Sequence, residues 1–435
     1  MRTKPTAGQA DKTHRRTEDA DKTHRRMTGG GSDVMAGTYD LSRPAGNVVG
    51  MGDTFSMDVS ERSAMWASTM RGHEVDDAVV AHGDSSASLH RSQSVLREVR
   101  ESIERETLSQ GAALAQGAGK RAVPEEPDLF RTCFERDRDR IVHSSAFRRL
   151  AGKTQVVVYP RDHQRTRLTH ALEVAQVATA IARGVGANAT LADTIALGHD
   201  CGHGPGGHAS EDAFDPYIPG GYHHGPWGAD VSLRHLNLCE ETLDGIRNHS
   251  WSQPAPFTVE GEIVSWADRI AYCAHDLEDA IHVGILSVDD LPDSIVRVCG
   301  HQRAQQLRVF VRAVIDSTIR EGKICMDAET AAALAELRKF TFERIYMRPD
   351  SVAQSQAMIQ LLRALVDHFI AHPDLVPNYE DPYRWPPQGF EGIDDKCWRA
   401  VEYVAGMTDR FACEQAATFL NYDLSTIPPG LGRGI

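Results

Sequence analysis

The sequence predicts a mainly α-helical protein with few or no strands. Three observations predict it. Apolar residues recur at three- and four-residue steps through most of the chain after Ser92. Only one run, Thr154-Gln155-Val156-Val157-Val158-Tyr159, reads as a strand. Strands do not alternate with helices as a parallel sheet requires, and no GxxxxGK[ST] phosphate loop is present.

The elements follow in order. Residues 1–95 lack an apolar period, and Ala10-Asp11-Lys12-Thr13-His14-Arg15-Arg16 recurs as Ala20-Asp21-Lys22-Thr23-His24-Arg25-Arg26. Such a stretch buries too little surface to offset its ordering entropy, so a disordered low-complexity leader is expected. Val95, Leu96, Val99, Ile103 and Leu108 begin a helical period, and a small-residue linker follows, so 96–128 reads as N-terminal helix plus linker. A basic segment runs from Leu129 to Val158. Helical patterns then cover His170–Val185, Leu191–His199, Ala229–His249, Thr258–Val283, Pro292–Arg320, Ala328–Phe342, Val352–Ile370 and Asp394–Phe419. The expected division is a core over 129–290, with a C-terminal helical region over 291–435 packing on it.

Composition bounds the function. The 435 residues are 41% hydrophobic and 25% charged, and the net charge of −14 argues against nucleic acid as an electrostatically captured main partner. The basic repeat is the feature that keeps nucleic acid in view. Arginines concentrate between Arg131 and Arg167, as phosphate handling in an acidic chain requires. No run approaches the length of a membrane span, and the N-terminus has no apolar signal region. The eight cysteines form no CxxC pair. A cytoplasmic chain with reduced thiols is expected.

The chemistry centres on His199-Asp200 in Ala196-Leu197-Gly198-His199-Asp200-Cys201-Gly202-His203-Gly204-Pro205-Gly206-Gly207-His208. Two such donors cannot hold a divalent cation alone. His170 opens a helix upstream. Asp268, Tyr272 and Asp276 fall at i, i+4 and i+8, a polar row amid the apolar Ile263, Val264, Trp266, Ile270 and Ala271. The proposed metal set is His170, His199, Asp200 and Asp268. Two imidazoles and two carboxylates suit Mn²⁺, Fe²⁺, Co²⁺, Ni²⁺ or Mg²⁺ without choosing among them.

The order H…HD…D resembles the HD-domain phosphohydrolases. The blocks Glu135–Val156, Arg167–Ala175, His199–His208 and Val404–Ala412 are similar, in order, to those of the bacterial dGTPase-like deoxynucleoside triphosphate triphosphohydrolases. The resemblance covers roughly residues 129–420. It implies an HD-domain helical fold with additional C-terminal helices. It implies metal-dependent hydrolysis of dGTP, and of other dNTPs as further candidates, to deoxynucleoside and inorganic triphosphate. A metal-activated water would attack the α-phosphate. The four metal ligands above follow by position, with His208 and Glu211 as a catalytic pair, and His203 and His224 beside them. His208 would protonate the departing 5′-oxygen or, alternatively, take the proton of the water. Arg167, with Arg269 as a second candidate, would reach the triphosphate. Gln155 matches a sugar 3′-hydroxyl contact. Tyr272 packs under the sugar, and Asp276 joins the substrate-binding set. Relatives form homo-oligomers, often hexamers, with dNTP activation at subunit contacts. Where relatives carry a short Phe-Glu-His-Asn-like element, this chain reads Tyr222-His223-His224-Gly225-Pro226-Trp227-Gly228, which opens rate and base preference to change. The alternatives are another HD hydrolase (5′-nucleotidase, (p)ppGpp hydrolase or cyclic-nucleotide phosphodiesterase) or a nucleotide-sensing or nucleic-acid-binding regulator with weak activity.

Overall fold

The computed structural model describes residues 60–68, 70–156, 164–377, 386–387 and 389–423. The chain divides into two units, 1–90 and 91–435. Within the first, residues 60–90 are not featureless, although they fall inside the expected leader. They carry helix α1, Glu61–Ser68, and an antiparallel hairpin of β1, His73–Val75, with β2, Ala78–Val80. Asp76 closes the hairpin with a φ of 52°. None of the α1 residues is buried. The repeats at 10–16 and 20–26 lie outside the described residues.

The second unit is helical. The amphipathic period from Val95 becomes α2, Arg97–Thr107. The basic segment forms α3, Cys133–His143, and α4, Ser145–Arg149. A capping box between Thr132 and Glu135 starts α3 by satisfying two otherwise orphan backbone donors. Three helices then build the centre: α5, Arg167–Val185; α6, Ala189–Gly198; and α10, Val259–His282. They pack on one another through Val174, Ala178, Ile181, Ile195, Ile263, Ile270 and Ala271, all fully or nearly fully buried. Between α6 and α10 lie α7, His208–Phe214, α8, His224–Trp227, and α9, Glu240–Asn248.

Three expected helices are interrupted, each for a local reason. The Ala229–His249 pattern breaks because Asn237 takes a left-handed φ of 50°. Its side chain instead brackets Val123, donating to Val123 O at 2.8 Å and accepting from Val123 N at 2.9 Å. Pro292–Arg320 splits into α11, Asp293–Cys299, and α12, Arg303–Glu321, at Gly300, whose φ is 78°. Asp394–Phe419 splits into α15, Asp395–Ala405, and α16, Asp409–Leu420, where Thr408 caps the second helix by accepting from Phe411 N. Between these pairs run α13, Ala328–Thr341, and α14, Pro349–Ala371. Of the expected strand Thr154–Tyr159, Thr154 makes a single antiparallel bridge to Thr166, and 157–159 lie outside the described residues.

Two apolar clusters hold the unit. One spans α3 to α6, α9 to α13 and Ile345. The other joins α7 and Tyr222–Trp227 to α14, α15 and α16. The loop after His199 is thus held between both clusters. Lys153 and Asp409 tie it down. The buried Lys153 ammonium donates to His203 O and Ala405 O, and Asp409 accepts from Gly206 N at 2.8 Å and from Thr154 N at 2.9 Å.

Glu260 sets the mouth of α10 against α6. Its carboxylate accepts from Asn188 N at 2.7 Å and Ala113 N at 3.1 Å. Burial pushes its carboxyl up to about 7 from an ordinary 4.5, against those donors. Folding therefore takes up a proton. The stability so linked is fully present below about pH 4.5 and is lost as pH rises through about 7. Its full size is on the order of 3 kcal/mol. Glu260→Gln is expected to flatten that slope and to be the more stable chain at pH 8. Denaturant unfolding of both chains at pH 5 and pH 8 checks it, and an unchanged slope would refute it.

Candidate active site

Three helices deliver the functional groups. His170 lies in the first turn of α5, His199 caps the C-terminus of α6, Asp200 follows it, and Asp268 lies in the middle of α10. The structure brings these four together. His170 Nε2 is 3.0 Å from Asp268 Oδ1 and 3.9 Å from Asp200 Oδ2. His199 Nε2 is 3.5 Å from Asp200 Oδ1 and 3.6 Å from Asp268 Oδ1.

The residues fit a divalent cation. His199 Nδ1 donates to Ala196 O at 2.6 Å, which leaves Nε2 as the lone-pair nitrogen. That Nε2 is buried and has no hydrogen-bond partner. A buried polar atom without a partner is costly, and one aimed between two carboxylates is what a cation satisfies. Burial opposes the charge on Asp200, but Arg167 and His199 outweigh it and hold the carboxyl well below its ordinary range. Burial likewise opposes the His199 imidazolium, yet Asp200 and Asp268 push it up to about 9. A bound cation would displace that proton.

Beside the cluster sits a second group of imidazoles. His208 Nδ1 donates to Glu211 Oε2 at 2.8 Å, and His224 Nδ1 donates to Glu211 Oε1 at 2.9 Å. The backbone N of His224 adds a third bond at 3.0 Å. Burial works against the Glu211 charge, but His224 and His208 hold the carboxyl well below its ordinary range. His203 stacks on His224 with centroids 3.8 Å apart, and its Nε2 lies 3.1 Å from Asp200 Oδ1 without hydrogen-bonding alignment. Burial, then Arg167 and His224, push the His203 imidazole well down, so it is neutral. His208 differs from the others, with 70% of its side chain exposed.

A cavity of ≈ 450 Å³ opens from this centre, within the usual range for a small-molecule pocket. Gln155, Arg167, Arg269, Tyr272 and Asp276 all line it, so the expected substrate-binding residues share one wall system. Arg167 is 1% exposed and donates from one terminal nitrogen to Asp200 Oδ2 at 2.8 Å. Its Nε and other terminal nitrogen have no partner, and neither has Gln155 Oε1. The Arg269 guanidinium lies flat on Trp251, 3.4 Å from the ring centroid. Tyr272 accepts from Arg338 Nε at 2.7 Å, and Tyr346 donates to Asp276, whose carboxyl burial pushes up to about 7.

Sequence reasoning missed His249, Trp251, Arg338 and Tyr346. His249 is buried and caps the C-terminus of α9. Burial pushes its imidazole down to about 3, with His224 and His199 adding to the effect. A histidine ending an amphipathic helix, as at His199, was the available signal. The Gly225-Pro226-Trp227-Gly228 segment is anchored by its tryptophan. Trp227 is buried against Tyr222, Phe390 and Trp398.

Residues 167–273 match the HD domain family, and residues 324–418 match the phosphohydrolase-associated domain. A deoxyguanosinetriphosphate triphosphohydrolase-like protein of Caldanaerobacter subterraneus is 39% identical over 325 residues, covering 73% of this chain and 93% of that protein. Proteins of the same name from Clostridium perfringens and Desulfatibacillum aliphaticivorans are 38% and 35% identical, covering 74% and 73% of this chain and 96% and 95% of theirs. None of the described helices is long and apolar enough to cross a membrane. At that identity, over nearly the whole length of each relative, the chain belongs to the deoxyguanosinetriphosphate triphosphohydrolase-like family of HD-domain phosphohydrolases.

Proposed function

We propose that this protein hydrolyses deoxynucleoside triphosphates, dGTP first among them, to the deoxynucleoside and inorganic triphosphate. The observation that carries the reading is Arg167. One nitrogen of its buried guanidinium is spent on Asp200, while two others have no partner and the side chain lines the cavity beside the His-Asp cluster. A desolvated cation with donors in reserve is a site for a phosphate oxygen.

His170, His199, Asp200 and Asp268 would hold a divalent cation such as Mn²⁺, Mg²⁺, Co²⁺ or Fe²⁺. Such a cation supplies Lewis acidity and a water activated for attack at the α-phosphorus. The chain's own groups do the rest. Glu211 fixes His208 at Nδ1, leaving Nε2 to give a proton to the departing 5′-oxygen. Neutral His203, with both ring nitrogens unpartnered, faces a non-bridging oxygen. Gln155 Oε1 accepts from the sugar 3′-hydroxyl. The Tyr272 ring, steadied by Arg338, fills the space that a 2′-hydroxyl would need.

Incubation of the pure protein with each dNTP and Mn²⁺ or Mg²⁺, followed by ion-exchange chromatography, tests this. Inorganic triphosphate is the expected product. Orthophosphate or pyrophosphate would assign another HD hydrolase, and no product at all would favour a regulator. Arg167→Lys keeps the charge and loses the fork. It is expected to lower kcat/KM by about 10²-fold and to weaken inhibition by inorganic triphosphate. Unchanged inhibition would remove Arg167 from the phosphate site.

A further inference from the structure

We infer that His249 is a positioning residue for the proposed reaction: it holds His224, and through His224 the Glu211 carboxylate, in register with the His-Asp cluster. The inference rests on the dNTP hydrolase reading above. It starts from a contrast between two helix ends. His199 and His249 each follow the last turn of a helix, and each donates Nδ1–H to the carbonyl three residues back, Ala196 at 2.6 Å and Ile246 at 2.8 Å. Both therefore turn Nε2 inward, with the two rings edge to face at 5.0 Å. The His199 Nε2 has no hydrogen-bond partner. The His249 Nε2 has one, His224 Nε2 at 3.0 Å.

Hydrogen placement fixes the direction of that contact. Ile246 O can only accept, so His249 carries its hydrogen on Nδ1 and its Nε2 accepts. The hydrogen of the contact is therefore on His224 Nε2. The other end of His224 donates to Glu211 Oε1. His224 is thus held at both nitrogens, face to face with His203, and its Nε2 comes no nearer than 4.0 Å to Asp200 Oδ1. His249 has both nitrogens engaged within the protein, and its ring touches that of His199.

The test compares His249→Phe, which keeps the ring volume and removes the acceptor, with His249→Gln, whose amide oxygen reaches the same place. His249→Phe is expected to lower kcat about 10²-fold with KM within about twofold. Its metal content should match wild type, and His249→Gln should recover most of the rate. Loss of metal from His249→Phe, or wild-type kcat, overturns the inference. A crystal structure of His249→Phe gives a readout independent of turnover. The His224 ring should leave Glu211, and a retained 2.9 Å contact would sink the inference even in an enzyme with another substrate. Absence of dNTP hydrolysis in the wild-type protein would instead sink the functional reading alone.

Discussion

Asp200→Asn is expected to abolish measurable turnover, a loss on the order of 10³-fold or more in kcat, in a protein that still folds. Asp200 meets both halves of the site. Its Oδ1 lies 3.5 Å from His199 and 3.1 Å from His203, and its Oδ2 accepts from Arg167 at 2.8 Å. Asparagine keeps the shape and one acceptor but removes the charge that both a divalent cation and Arg167 need. Metal content should fall with activity. Asp200→Ala is a harsher change, because the Arg167–Asp200 pair is almost wholly buried. Breaking such a pair strands the remaining charge, at a cost of about 3–5 kcal/mol. Both variants should lose metal, rate and Tm, and Ala should lose the more Tm because it also removes the oxygen that accepts from Arg167. Metal analysis, thermal unfolding and the chromatographic assay on both variants decide it. Wild-type turnover in Asp200→Asn would disprove the proposed centre.

How much of this was legible in the sequence depended on what each residue answers to. The convergence of His170, His199, Asp200 and Asp268 was legible because they lie on or directly after helices whose apolar periods are plain, and those helices pack directly on one another. His208 and Glu211 are three apart on one helix, so their contact was a local matter. Asn237 was not legible as a helix breaker. Its left-handed turn is fixed by bonds to Val123, more than a hundred residues away in the chain. His249 was missed for the same kind of reason: its ring partner His224 is 25 residues away and is reached only through the fold. Arg338 came from a stretch read simply as another helix and Tyr346 from the gap after it, yet they bond Tyr272 and Asp276 and line the cavity. Periodicity finds the walls of such a site; it does not say which wall residue turns inward.

Gly202→Ala is expected to do comparable damage from outside the ligand set. A Cβ at Gly202 would sit 2.0 Å from His224 O, 2.3 Å from Gly228 N and 2.8 Å from Gly228 Cα. All three are backbone atoms, so no side chain can swing aside, and the two strands of chain must separate. His224 cannot move freely. Its backbone N and ring both bond Glu211 Oε1, and its Nε2 bonds His249. Nor can the segment behind it, because Trp227 is wedged into the second apolar cluster. The strain therefore falls on the Asp200–His203 loop, which carries the proposed ligand Asp200. A cost of about 3 kcal/mol in stability is expected from the overpacking. A displacement of about 1 Å between His203 and His224 should lower kcat by about 10²-fold more. Gly220→Ala is the control. Its φ of +84° strains any L side chain, but nothing lies within 4 Å of its Cβ. It should cost about 1–2 kcal/mol and leave kcat unchanged. Equal kcat in the two variants, measured below both unfolding transitions, would mean that the close approach of Gly202 to His224 and Gly228 does not set the geometry of the His203–His224 pair.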